Sequence, residues 1–85
     1  KFVSFRIIKT VKPDVYELYI FNEQKTGLHK HSYASIPDIQ TSKWMKHLTD
    51  SKEECIVECK YNTLFQKWMP IQESTTIDSI LDIKV

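Results

Sequence analysis

The chain has one glycine, one arginine, two cysteines and three prolines in 85 residues, and no apolar run longer than four residues. Each scarcity excludes something. With Gly27 alone, no glycine-rich loop exists to wrap backbone amides around a phosphate, which rules out nucleotide binding by that route. Runs as short as Ile7-Ile8 and Tyr19-Ile20-Phe21 fall far below a membrane span or a signal-peptide core, so no membrane or export route is expected. Twelve basic residues face eleven acidic ones, a net charge of +1, which is not the balance of a stand-alone duplex-DNA binder. Any nucleic-acid contact must be local. Cys55 and Cys59 lie four apart in a strand-like stretch, about 13 Å by strand rise. A disulfide needs Cα atoms within about 7 Å, so the pair is expected to be reduced, which favours an intracellular compartment, cytoplasmic or nuclear.

What is present describes an ordinary folding chain. Hydrophobic residues at 41% and charged residues at 27% exclude intrinsic disorder, and the length allows one core. The sequence begins at Lys1 and ends within an apparent helix, so residues 1–85 are expected to be one domain taken from a larger protein.

Phe2 to Val11 alternates Val3, Phe5 and Ile7 against Ser4 and Arg6 and reads as a strand. Lys12-Pro13-Asp14 turns the chain, Val15 to Asn22 forms a second strand, and Glu23 to Gly27 a second turn. Leu28 to Ile36 gives a third strand, with Leu28, Ala34 and Ile36 on one side and His29, His31 and Tyr33 on the other. A helix is expected near Ile39 to Thr49, capped by Asp38 or Thr41 and carrying Trp44, Met45 and Leu48. Glu54 to Tyr61 alternates again as a fourth strand, and Phe65 to Gln72 is a fifth in which Pro70 implies an edge or a bulge. Thr75 and Asp78 have capping-box spacing before a short terminal helix with Ile77, Ile80 and Leu81 on one face.

The expected fold is therefore α+β and β-rich: a five-stranded OB-like barrel with a helix between strands 3 and 4 and a C-terminal helix. A β-grasp or other mixed α+β sheet is the alternative, and it requires strand 3 to be partly loop. No nucleophile with its base and orienting partner is spelled out, and no set of three metal ligands, so neither a catalytic residue nor a metal or other cofactor is expected. Tyr16, Tyr19, His29, Lys30, His31, Tyr33, Lys60 and Lys67 remain as aromatics interleaved with cations, the composition of a stacking-plus-phosphate platform. Lys30, His31, Tyr33 and Lys60 are the chosen nucleic-acid contacts. The partner is then single-stranded RNA, or, in the alternative, a protein or neighbouring domain met through a sheet edge or aromatic patch.

The run Cys55-Ile56-Val57-Glu58-Cys59-Lys60-Tyr61, followed by a turn and Lys67-Trp68-Met69-Pro70, resembles the OB-fold domain of messenger-RNA guanylyltransferases, the capping enzymes. Val3-Ser4-Phe5-Arg6-Ile7-Ile8 and Leu18-Tyr19-Ile20 resemble that domain's opening hairpin, so the similarity runs through most of the chain. The resemblance implies a lid or RNA-contacting domain that closes over nucleotide held elsewhere and completes a site without supplying the nucleophile. The sequence departs from the family's arginine-x-aspartate-lysine run, where it has Ile71-Gln72-Glu73-Ser74, and it lacks the lysine-x-aspartate-glycine motif of the nucleophile.

Overall fold

A computed structural model describes residues 2–83. The elements follow the order β1 (Phe2–Lys9), β2 (Tyr16–Phe21), β3 (Leu28–Tyr33), α1 (Ile39–Ser51), β4 (Cys55–Asn62), β5 (Lys67–Glu73) and α2 (Ile80–Ile83). The strands form one sheet in the order β3-β2-β1-β4-β5, each neighbouring pair antiparallel.

Alternation along β1, β2 and β4 sends Val3, Phe5, Ile7, Leu18, Ile20, Val57 and both cysteines to one face, where α1 adds Met45 and Leu48. Trp68 is buried in this core and Trp44 packs at its margin. Phe5, on the middle strand, meets His31 of one outer strand at 5.6 Å and Trp68 of the other at 5.2 Å between ring centroids. A flat sheet holds its outer strands two strand spacings from the middle, about 10 Å. The sheet is therefore strongly curled around Phe5. Its two edges approach just past β3, where Ala34 forms a parallel bridge with Trp68 and the Ser35 N–H donates to the Trp68 carbonyl at 2.8 Å. The pairing goes no further, and the sheet is not closed.

Several expected boundaries shift for identifiable reasons. β1 stops at Lys9 because the Thr10 hydroxyl donates to the Val15 carbonyl at 2.9 Å and accepts from the Lys12 N–H at 3.2 Å, starting the turn two residues early. β3 ends at Tyr33 rather than Ile36. Phe65 belongs to the β4–β5 turn, where the Asn62 carboxamide oxygen accepts from the N–H groups of Leu64 and Phe65 and Gln66 takes a φ of 54°. Asp38 is the N-cap of α1, accepting from the Thr41 N–H at 2.8 Å, and that bond holds its carboxyl below the usual range. Pro70 lies on outer strand β5 beside a register shift between Glu58 and Cys59.

The terminal capping box is not Thr75 with Asp78. It is Ser79 with Asp82: the Asp82 carboxylate accepts from the Ser79 N–H at 2.7 Å, and the Ser79 hydroxyl accepts from the Leu81 N–H at 3.3 Å. Asp78 has another task. β1 and β2 pair only from Arg6 to Lys9 and splay below that point, and Asp78 fills the gap. Its backbone exchanges bonds with Ser4 and Phe21, and its carboxylate accepts from the Ser4 N–H at 2.8 Å.

Both cysteines are free thiols, buried on the core face. Burial pushes the Cys59 thiol up to about 12 and raises that of Cys55 as well. At pH 8 the Cys59 thiolate is then about one part in ten thousand, and the thiolate is the reactive species. An aromatic disulfide reagent is expected to leave both cysteines unmodified in the native protein and to titrate both in denaturant. Rapid native-state reaction of either would contradict the packing.

Candidate nucleic-acid interface

β3 carries the site, and a bulge sets its geometry. Leu18 pairs with Ser32 and Tyr19 with Lys30, so His31 is the extra residue between them. A bulge reverses the faces beyond it. Strict alternation would place Lys30 opposite Tyr33; the bulge instead sets both on the outer face, across from Tyr19 and Glu17 respectively. There the Lys30 ammonium donates to the Tyr33 hydroxyl at 2.7 Å, lies 4.4 Å from the Tyr33 ring centre, and stands 3.4 Å from the Glu17 carboxylate. The Tyr19 hydroxyl donates to the other Glu17 oxygen at 3.1 Å. The Tyr33 hydroxyl raises the Lys30 pKa, and the bond to Glu17 raises that of Tyr19. Four side chains from two strands thus form one network on the convex face.

Arg6, on β1 directly across from Tyr19, extends this face. Its guanidinium has a long contact with Glu54 at 3.7 Å, and its Nε is buried without a hydrogen-bond partner. Tyr33, 44% exposed, also borders two clefts. One, of about 460 Å³, runs beneath the β1–β2 loop past Val11 and Lys12. The other, of about 310 Å³, lies between β3 and β5 and is lined by His31, Tyr61, Lys67 and Trp68. Tyr61 and Trp68 pack there with ring centres 5.0 Å apart and planes inclined at 59°.

Of the expected contacts, Lys30 and Tyr33 are together and His31 is adjacent. The His31 ring turns inward onto Phe5, with Nδ1 3.0 Å from the Ser32 hydroxyl. Lys60 is elsewhere: it lies on β4, paired with Phe2 and Met69, three strands from β3, or about 14 Å measured along the sheet. Tyr16 is in the core. Sequence reasoning named Arg6 only as an alternating residue of the first strand and did not single out Glu17. The Ser4–Arg6 alternation did put Arg6 on the outer face, but its register against Tyr19 is a tertiary fact.

The described residues contain no group of three or more His, Cys, Asp or Glu side chains able to hold a metal ion. None of their helices is long and apolar enough to cross a membrane.

Over 72 residues, 82% of this chain, the sequence is 42% identical to an uncharacterized protein of Acanthamoeba polyphaga mimivirus. The chain spans 21% of that protein's length. No family model and no solved structure matches the chain.

His31 makes the stability of the fold sensitive to acid. Burial, and secondarily the neighbouring His29, lower its pKa from the usual 6.5. Below about pH 6.5 the unfolded chain takes up a proton that the folded chain resists, so this contribution to stability is present above that pH and is lost as pH falls. The urea midpoint is expected to drop between about pH 7.5 and pH 5.5, and to drop less in a His31→Phe variant. Equal pH dependence in the two proteins would remove His31 from this role.

Proposed function

We propose that this chain is a non-catalytic binding domain, a partly open OB-type barrel whose outer β2–β3 face receives single-stranded RNA. By its resemblance to capping enzymes, it serves as the RNA-contacting or lid domain of a capping-type nucleotidyltransferase. The strand order, the position of α1 between β3 and β4, and the approach of Ala34 to Trp68 support the barrel. The observation that carries the ligand reading is the Glu17–Tyr19–Lys30–Tyr33 network, which lies between two clefts that share Tyr33. Bases can stack on exposed tyrosine rings there while Lys12, Lys30 and Lys67 meet phosphates at the edges.

The cations are few. Lys9, Lys46 and Lys52 are already paired with Asp50 and Glu73, and Lys30 divides its charge between Glu17 and any phosphate it meets. Two or three phosphate contacts give a log–log salt slope of about −1.4 to −2.1, at about −0.7 per contact on a single strand. A fluorescence-anisotropy titration of this chain with a labelled RNA of about 12 nucleotides, at two salt concentrations, tests the reading. Saturable binding with that shallow slope is expected. Flat curves at protein concentrations on the order of tens of micromolar would reject it.

One observation favours a protein partner instead. Leu64 and Phe65, at the tip of the β4–β5 turn, are 82% and 66% exposed, and the Asn62 side chain holds their backbone in place. Apolar residues presented this way suit a partner's apolar pocket.

A further inference from the structure

The outer face of β2 and β3 carries a carboxylate at the centre of its aromatic cluster, an odd choice for a surface that meets a polyanion. Glu17 lies directly across from Tyr33 and two residues from Tyr19 on the same face of β2. It is held from both sides, by the Tyr19 hydroxyl on Oε1 and the Lys30 ammonium near Oε2. Each carboxylate oxygen accepts two hydrogen bonds, so a free lone-pair direction remains on each. A carboxylate fixed across from the exposed Tyr33 ring is placed to meet the edge of a base stacked there.

Resting on the RNA reading above, we infer that Glu17 reads the base edge and selects bases that present an exocyclic amino group, cytosine over uracil among pyrimidines. The chemistry is that of an acceptor-only side chain. A carboxylate accepts from the cytosine N4 amino group, as acidic side chains do when they read cytosine in duplexes. Approached from the C5 side of the ring, uracil presents only the O4 carbonyl at the same position, its N3–H lying beyond that oxygen, and two acceptors facing each other repel. Phosphate contacts are the same for both pyrimidines but stacking strength is not, so the edge contact is isolated by removing the amino N–H from cytosine itself. Lys30 thereby acquires a second role, as the residue that neutralises and positions Glu17 as well as meeting phosphate.

The test is an anisotropy titration of this chain with labelled oligocytidylate and oligouridylate of about 12 nucleotides at one salt concentration. The cytidine oligomer is expected to bind roughly tenfold more tightly. Glu17→Gln, an isosteric change on the outer face, removes the acceptor-only character and frees Lys30 of its counter-charge. It is expected to strengthen binding of both oligomers and to bring the ratio close to one, with an unchanged melting temperature as the control for folding. An oligomer of N4,N4-dimethylcytidine, which has no amino N–H, provides a check independent of the variant and is expected to bind the unsubstituted protein like the uridine oligomer. Equal, saturable binding of both pyrimidines to the unsubstituted protein would overturn the inference while leaving RNA binding intact. A preference that survives Glu17→Gln or dimethylation overturns it too, and absence of binding to either oligomer overturns both readings.

Discussion

Replacing Phe5 with alanine is expected to cost about 3–5 kcal/mol, most or all of the stability of a domain this small. Phe5 is fully buried on the middle strand, and its ring is the object around which the sheet curls. It touches His31 of β3 and Trp68 of β5. Truncation therefore removes the transfer free energy of a phenyl ring, an edge-to-face aromatic pair, and a side chain that touches both outer strands. The strands are hydrogen-bonded into the sheet and cannot collapse fully into the space. Urea unfolding monitored by tryptophan fluorescence measures the loss, because Trp68 reports on the same contact. Phe5→Leu, which refills much of the volume without the aromatic pair, is expected to recover more than half of it. A Phe5→Ala protein within 1 kcal/mol of the parent, a threshold well below the usual cost of about 3 kcal/mol, would show that the curl does not depend on this ring.

The second large effect concerns binding and leaves the fold alone. Tyr33→Ala is expected to weaken single-stranded RNA binding by about 1–3 kcal/mol, roughly five- to 150-fold, while changing the melting temperature little. Tyr33 ends β3 on the outer face, is exposed, and borders both clefts, so its ring is available to a base and contributes little to the core. Its hydroxyl also accepts from the Lys30 ammonium, so Tyr33→Phe separates the two functions: it keeps the stacking surface and removes that hydrogen bond, leaving the lysine to the ring face and Glu17. The phenylalanine variant is expected to lie much nearer the parent than the alanine variant. The parallel substitution Lys60→Ala, three strands away, is expected to change affinity little and serves as a surface-charge control. If Lys60→Ala weakens binding as strongly as Tyr33→Ala does, the ligand runs over the β4 side and the interface described here is misplaced.

The fold's elements were largely written in the sequence. Alternation with a period of two in β1, β2 and β4 and the helical spacing of Trp44, Met45 and Leu48 are local patterns, and local patterns fix which residues face inward. The order of three strands, a helix, two strands and a helix follows from them, and so does the burial of both cysteines. The site was legible only in part. Lys30, His31 and Tyr33 were visible as cations and aromatics on one strand, but strict alternation put His31 and Tyr33 together and Lys30 opposite.

A single extra residue reverses that assignment, and no side chain in Leu28–Tyr33 signals it, since the chain's one glycine sits before the strand. Whether a bulge forms depends on the register that β2 imposes and on the room Phe5 leaves for the His31 ring, which are pairings across distant sequence. The same reason separates Lys60 from the cluster and brings Arg6 next to Tyr19. The terminal capping box moved for a related cause: Asp78 had the spacing for a cap, but the splayed strands β1 and β2 offered unpaired backbone groups of Ser4 and Phe21, and satisfying them took precedence. Composition and period determined what this chain is built from; register, a long-range property, decided which of its side chains meet.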